Sequence, residues 1–252
     1  MENMKRILSY ARRAIDDYEM IKEGDKIAVG VSAGKDSLTL LAAMAELRRF
    51  YPKSFTLCAI TVDMGFEGVD FSPIADMCRE LDVEYHVVKT EISKVIFDVR
   101  KEKNPCSLCA KMRRGALYGY ARDIGCSSVA LGHHFDDVVE TFMLNLFYEG
   151  RLGCFQPVTF LSNTGITLIR PMIYMPEKDV RYFASKNSLP VVKSPCPADG
   201  NTQREEMKQL LHGLEKQNKG LRYRIFGALQ RGEIDGFREF GRMEAMKNYE
   251  DD

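Results

Sequence analysis

The sequence lacks an apolar run of membrane-spanning length, a secretion signal, a low-complexity block and an internal repeat. The first two absences exclude a chain with membrane-spanning helices and lead to the expectation of a soluble, cytoplasmic protein with no membrane partner. Net charge is also lacking, since 36 Lys and Arg balance 36 Asp and Glu. Any nucleic-acid contact must therefore come from local basic patches rather than from an overall field. What is present is ordinary: 252 residues, 45% hydrophobic and 29% charged, enough for one α/β domain with elaborations and a substantial core.

The most informative stretch is Lys26-Ile-Ala-Val-Gly-Val-Ser-Ala-Gly-Lys-Asp-Ser-Leu-Thr-Leu-Leu41. Ile27, Ala28, Val29 and Val31 have the length and branching of a buried strand. Gly30, Ser32, Ala33 and Gly34 form a small-residue turn, and Asp36-Ser37 open an apolar-periodic helix. Strand, tight loop and helix start together aim free N–H groups and a positive dipole end at one point, which suits phosphate.

Three other readings compete for these residues. A P-loop needs four residues between its glycines and a hydroxyl after the lysine; here three separate Gly30 from Gly34, and Asp36 follows Lys35. Gly30-Val31-Ser32-Ala33-Gly34 fits the G-x-S-x-G elbow of hydrolases. That fold places its nucleophile after several strands and a histidine late in the chain, whereas this motif lies on the first strand and His212 is the only histidine beyond the mid-chain pair. An ordinary glycine turn is the third reading.

Along the chain, strand-like and helical patterns alternate. Ile7, Ala11, Ala14, Ile15, Tyr18 and Ile21 recur at helical spacing. Strands are expected at 27–31, 55–62, 85–88, 128–131 and 167–173, and helices at 38–50, 74–81, 111–124, 136–148, 177–186 and 202–230, the last interrupted near Gly220. This alternation predicts an α/β fold with a doubly wound parallel sheet, Rossmann-like, with helical N- and C-terminal elaborations. The division expected is an N-terminal helix (1–22), an ATP-binding α/β domain with the C-x-x-C loop (23–195) and a helical extension (196–252). The Ser32 loop, Asp63 and His133 each follow a strand and should meet at one sheet edge.

Seven cysteines is an odd number. In a chain of this length, closely spaced cysteines point to metal or redox chemistry rather than to structural bridges. Cys106-Ser-Leu-Cys109 is expected in a loop ahead of a helix, where two thiolates can share a metal ion or cluster. Cys196 sits in a second proline-marked loop. No second complete C-x-x-C is present, so a Cys₄ zinc site would need a distant fourth thiolate. Three cysteines on an iron–sulfur cluster would leave one iron open. A Cys₃His zinc site recruiting His133 or His134 remains the structural alternative. Cys58, Cys78, Cys126 and Cys154 lie in apolar segments and are expected to be buried.

Ser32-Ala33-Gly34-Lys35-Asp36-Ser37 resembles the pyrophosphatase loop, S-G-G-x-D-S, of the N-type ATP pyrophosphatases, with Ala33 in place of the first glycine. Three further blocks are similar to the tRNA 2-thiocytidine synthetase (TtcA) family: Pro105-Cys-Ser-Leu-Cys-Ala-Lys-Met-Arg-Arg-Gly-Ala-Leu-Tyr118, Leu131-Gly-His-His-Phe-Asp-Asp-Val-Val-Glu-Thr141, and Pro195-Cys196 followed by Asn201-Thr-Gln-Arg204. The resemblance runs from about residue 5 to 216. It departs at Phe135, where the family has an arginine, and after Cys196, where a further cysteine is missing.

The resemblance implies ATP cleaved between its α- and β-phosphates, adenylation of a nucleobase carbonyl, and replacement of that oxygen by sulfur. The expected base is a tRNA anticodon-loop cytidine, attacked at C2; a uridine or a small molecule is the alternative acceptor, and a zinc-stabilised nucleotide-binding module without catalysis the more distant one. The implied cofactors are ATP, Mg²⁺ and a [4Fe–4S] cluster on Cys106, Cys109 and Cys196, the cluster acting as sulfur carrier. Phosphates would rest on Gly30, Ser32, Ala33, Gly34, Lys35, Asp36 and Ser37, with Gly132 and His133 beside them and Asp63 bordering the adenosine. Asp36 and Asp137 are the candidates for Mg²⁺, since hard cations select carboxylate oxygen. With Lys35 they form the expected catalytic set, although Lys35 has a solvent-facing alternative. Lys111, Arg113 and Arg114 are the expected RNA contacts, near Lys101 and Lys103. Expected partners are tRNA and a sulfur donor such as a cysteine desulfurase, with a homodimer as the candidate assembly.

Overall fold

Alternation at period two organises the core. Ile27 and Val29 enter one hydrophobic cluster while Ala28 enters another; Leu57 and Ala59 join the first while Cys58 and Ile60 join the second. Strands apolar on both faces belong in the middle of a sheet covered on both sides.

The computed structural model describes residues 1–100, 105–192, 196 and 203–240. In order these form α1 (Met4–Asp17), β1 (Asp25–Gly30), α2 (Lys35–Leu47), β2 (Phe55–Asp63), α3 (Ser72–Glu80), β3 (Glu84–Lys89), α4 (Ile92–Lys94), a π-helical turn (Val95–Val99), α5 (Pro105–Asp123), β4 (Ser128–Ala130), α6 (Phe135–Tyr148), β5 (Val158–Leu161), β6 (Ile166–Ile169), α7 (Glu177–Lys186), α8 (Gln203–Gln217) and α9 (Leu221–Arg231). The polar stretch 101–104, with Lys101 and Lys103, the residues on either side of Cys196, and the acidic end 250–252 lie outside the described residues.

The sheet order is β3-β2-β1-β4-β6-β5. β1 pairs in parallel with β2 on one side and with β4 on the other, Ile27 opposite Ser128 and Val29 opposite Ala130. The chain reverses its direction of travel across the sheet between β1 and β4. In open α/β sheets this is where a crevice forms at the strands' C-terminal ends. α5 covers one face with Leu117, Tyr118 and Ala121. α1, α2, α6 and α7 contribute to the larger cluster on the other face. Residues from both chain ends, such as Ile7, Met207, Leu211 and Phe226, share that cluster.

The sheet is mostly parallel, as expected, with one reversed edge strand: β5 runs antiparallel to β6, with Val158 opposite Ile169. Two expectations need correction. Cys106 and Cys109 lie within the first five residues of α5, not in a loop before it; Pro105 opens the helix, where its missing N–H costs nothing. In addition, the strand-like run 167–173 stops at Ile169, and Arg170 leads into a turn closed by Ile173 N–H on Arg170 O and Met175 N–H on Met172 O.

Candidate active site

β1 ends at Gly30, whose missing side chain lets Leu117 of α5 approach; a Cβ there would lie 3.0 Å from Leu117 Cδ2. The loop that follows is closed by Ser37. Its Oγ accepts from Ser32 N–H (3.1 Å) and from Ser32 Oγ (3.3 Å), and donates to Gly34 O (3.0 Å). Ala33 holds φ at 64°, the left-handed region, and its carbonyl accepts from Val192 N–H at 3.0 Å. Gly34 is the N-cap of α2 and brings no side chain to cap the N–H groups of the first turn. Those groups are left for an anionic ligand. Gly132, after β4, packs directly on that turn: a Cβ would sit 3.1 Å from Asp36 C and O and from Ser37 N.

His134 joins the two acidic positions. As N-cap of α6 its Nδ1 accepts from Asp137 N–H (3.3 Å), while its own N–H donates to Asp137 Oδ2 (2.9 Å). This places the ring proton on Nε2, 3.6 Å from Asp36 Oδ1. That Oδ1 lies 3.1 Å from Lys35 Nζ, yet it is buried and receives no well-directed hydrogen bond. Two carboxylates meeting at one side of a phosphate-type loop, one with an unfilled oxygen, suit a hard cation.

Lys35 does not turn into the crevice. Its ammonium lies 3.2 Å from Glu177 Oε1 as well as against Asp36. Burial lowers its pKa, but the two carboxylates outweigh this and raise it. Glu177 also meets Lys208 Nζ (2.8 Å) and Arg181 (3.2 Å). Burial opposes its ionisation, yet Lys208 and Lys35 bring its pKa down to about 2. Asp136 accepts from Glu177 N–H (2.7 Å) and from Arg222 Nη1 (2.8 Å). Arg222 lies 3.6 Å from Glu140, whose pKa is pushed up to about 7, first by burial and then by Asp137. Asp136 and Glu140, four apart on one face of α6, are thus held from α9 by Arg222 rather than facing solvent.

A cavity of about 410 Å³ opens between the Ser32 loop, Gly132 and α5. Ala110 and Arg113 of α5 line it, and Cys109, the residue before Ala110, has its Sγ 3.5 Å from Met64 Sδ. Burial raises the Cys109 thiol pKa, Arg113 lowers it, and the nearby Cys196 and Cys106 raise it further. Among the described residues no three His, Cys, Asp or Glu side chains stand close enough together to hold a metal ion as they lie. The donor set still fits a thiophilic group, since two thiols three residues apart at a helix start share one face.

Residues 5–214 match the PP-loop domain family. The chain is 41% identical over 228 residues to a tRNA-cytidine(32) 2-sulfurtransferase of Geobacter sulfurreducens, covering 89% of each chain. It is 41% identical over 229 residues to that of Teredinibacter turnerae, covering 90% of this chain and 76% of the other. The chain belongs to the PP-loop family and, within it, to the tRNA-cytidine(32) 2-sulfurtransferases. Among solved structures it is similar to the U34-tRNA thiolase NcsA from Methanococcus maripaludis with its [4Fe–4S] cluster, at 28% identity and a TM-score of 0.73, covering 90% of this chain and 80% of that one.

The PP-loop residues converge only in part. Gly30, Ser32, Asp36, Ser37, Gly132, His133 and Asp137 line the cavity, as do Arg113 and Arg114. Ala33, Gly34, Lys35 and Lys111 do not, and neither does Asp63, whose Oδ1 accepts from Gly65 N–H (2.9 Å) while Ile60 and Val62 line the wall. Phe135 leaves no gap in the charge of the cavity: it is buried against Tyr223 (4.8 Å) and Phe226 (5.0 Å). Ser32 Oγ bonds Ser37 rather than a histidine, which gives no support to the hydrolase elbow. Sequence reasoning overlooked Arg204, which lines the cavity and bonds Asp137 Oδ1 (3.0 Å) and Thr141 Oγ1 (3.1 Å). Its signal was present in the Asn201-Thr-Gln-Arg204 block.

Proposed function

We propose that this chain is an ATP-dependent tRNA sulfurtransferase that adenylates the C2 carbonyl oxygen of cytidine 32 and replaces that oxygen with sulfur. The observation that carries the reading is the meeting of an uncapped PP-loop helix, two carboxylates and the C-x-x-C helix at one cavity, in a chain of this family.

ATP phosphates rest on the N–H groups at the start of α2, with Ser32 and Ser37 hydroxyls beside them. Asp36, whose Oδ1 is buried without a hydrogen-bond partner, and Asp137 would hold Mg²⁺, which would supply positive charge to the phosphates. The pair His134–Asp137 fixes the second carboxylate in place. Arg204 bonds Asp137 and lines the same cavity, where its charge suits the phosphates. The base oxygen bonds to the α-phosphorus and pyrophosphate leaves; sulfur then takes the place of that oxygen, which departs with AMP. Cys106, Cys109 and Cys196 would hold a [4Fe–4S] cluster, and the chemistry it would supply is a site for bound sulfur. Lys111, Arg113 and Arg114 meet tRNA phosphates, and a sulfur donor such as a cysteine desulfurase renews the sulfur.

The test is anaerobic purification followed by iron and sulfide analysis and nucleoside mass spectrometry of treated tRNA. Wild type should carry about four iron per chain, release AMP and pyrophosphate, and form 2-thiocytidine. Cys196→Ala should lose the iron and the thionucleoside together. Zinc without iron in active wild type would overturn the cysteine assignment, and absence of any thiolated tRNA would overturn the reading.

A further inference from the structure

A second, larger cavity lies beside the first, a groove of about 980 Å³ between α5 and the β5–β6 hairpin. Arg114, Tyr118, Leu131 and His133 line both spaces, so the two share a wall. We propose that this groove holds the cytidine to be thiolated, with Arg170 donating to the acceptor edge of its base; the proposal rests on the tRNA-thiolation reading.

Arg170 carries the argument. It is 6% exposed, yet among the described residues it makes no ion pair. Its Nη1 donates to Gln156 O and to Thr159 Oγ1 (3.2 Å), while Nε is buried without an acceptor. Its guanidinium stacks 5.0 Å from the Phe155 ring, and that ring lies 4.7 Å from His133. Burial brings Arg170 down to about 10, which leaves it charged near neutrality. A buried cation without a counter-ion is costly, and a fold retains one where an anionic or acceptor-rich ligand completes it. The carboxylate lining the groove, Asp235, is already occupied by Cys154 N–H (2.6 Å).

A second observation comes from α5. Gly115 and Gly119 face the groove one turn apart, and a Cβ at either would meet nothing within 4 Å. Each glycine costs a helix about 1 kcal/mol relative to alanine. No packing among the described residues requires either glycine, so the bare backbone leaves room for a ligand. Lys111, Arg114 and Arg122 run along the same helix face.

The ligand must therefore offer phosphates along one side, a flat ring to lie by Phe155 and His133, and acceptors alone to the guanidinium. An unstacked pyrimidine nucleotide in a single-stranded loop has all three. Cytosine places two acceptors, O2 and N3, side by side. Uracil carries N3–H there, and a guanidinium has no acceptor to receive it. Arg170 thus favours cytosine over uracil, and the shared wall brings the bound nucleotide beside ATP.

The experiment uses cluster-loaded protein and two tRNA transcripts that differ by cytidine or uridine at the modified position. Gly119→Phe adds a ring on the groove face of α5, where a Cβ meets nothing within 4 Å, and Arg170→Gln replaces a pure donor with a side chain that also accepts. For Gly119→Phe, melting temperature and ATP–Mg²⁺ binding should stay unchanged while thiolation kcat/KM falls about 100-fold. Arg170→Gln should reduce the preference for cytidine over uridine at least about tenfold. Wild-type thiolation by Gly119→Phe overturns the proposal. So does an unchanged base preference in a folded Arg170→Gln; if that variant does not fold, Gly119→Phe decides. Wild type that thiolates neither transcript overturns the thiolase reading as well, whereas active wild type with indifferent variants overturns only the groove assignment.

Discussion

Arg204 on α8 lies 3.0 Å from Asp137 on α6, joining α8 to the first turn of the helix that follows β4. The two residues are 67 apart in sequence. A cation seated on a carboxylate proposed for Mg²⁺ competes with that metal, which gives the pair a measurable signature. Arg204→Ala should bind Mg²⁺ at lower concentration, since Asp137 is then unoccupied, while the KM for ATP rises about tenfold through loss of a charge-assisted contact. Pyrophosphate release titrated against Mg²⁺ and against ATP separates the two effects. Unchanged dependence on both would remove Arg204 from the site.

Gly132 tests the fit between the β4 loop and α2. Its Cβ position lies 3.1 Å from backbone atoms of Asp36 and Ser37, tighter than a relaxed contact allows. Gly132→Ala should displace the first turn of α2, cut ATP turnover about 100-fold and cost about 1–3 kcal/mol of stability. Gly34→Ala is the control: its Cβ would meet Ser32 Oγ at 3.6 Å, an ordinary distance, and φ is −86°. Turnover measured beside a urea melt should show the first variant impaired and the second close to wild type. Equal behaviour would mean that the approach at Gly132 is slack.

Much of this was legible in the sequence, for a definite reason. The β1 strand, its small-residue loop and α2 are contiguous, and the change from period two to period 3.6 falls at Gly34, so local pattern and tertiary role agree. Local pattern misleads where two rules meet. Pro105 and two cysteines read as a loop, although proline and thiols are all compatible with a first helical turn. β5 escaped notice because four half-exposed residues carry little periodicity. Partner choice at long range is not written locally at all. Nothing near Glu177 announces Lys35, and nothing near Arg170, just past β6, announces its burial.

Ala33 occupies a backbone conformation that favours glycine, with φ at 64°. The left-handed region costs a non-glycine residue about 1–2 kcal/mol, and glycine gives back part of that in unfolded-state entropy. Ala33→Gly should therefore lie within about 1 kcal/mol of wild type in chemical denaturation and keep full ATP turnover. Ala33→Val, β-branched and buried beside the loop, should lose about 2 kcal/mol or more. A Val variant as stable as wild type would show that the strain is absorbed elsewhere.

Glu177 and Glu140 lie on neighbouring helices, and their pKa values move in opposite directions, so they predict opposite pH signatures. The Glu177 carboxyl falls from 4.5 to about 2. Its contribution is fully present above 4.5 and is lost as pH drops through that interval toward 2. Glu140 rises from 4.5 to about 7, so the folded state prefers its proton. That contribution is present below 4.5 and is lost as pH climbs toward 7. Glu177→Gln should consequently cost stability at pH 6, by about 3 kcal/mol at most, and much less near pH 2.5. Glu140→Gln should match wild type near pH 4 and exceed it at pH 8 by about 1–3 kcal/mol. Denaturant melts of the three proteins at those pH values decide the matter. A Glu140→Gln variant that is less stable than wild type at pH 8 would mean that the ionised carboxylate pairs with Arg222 strongly enough to outweigh its burial.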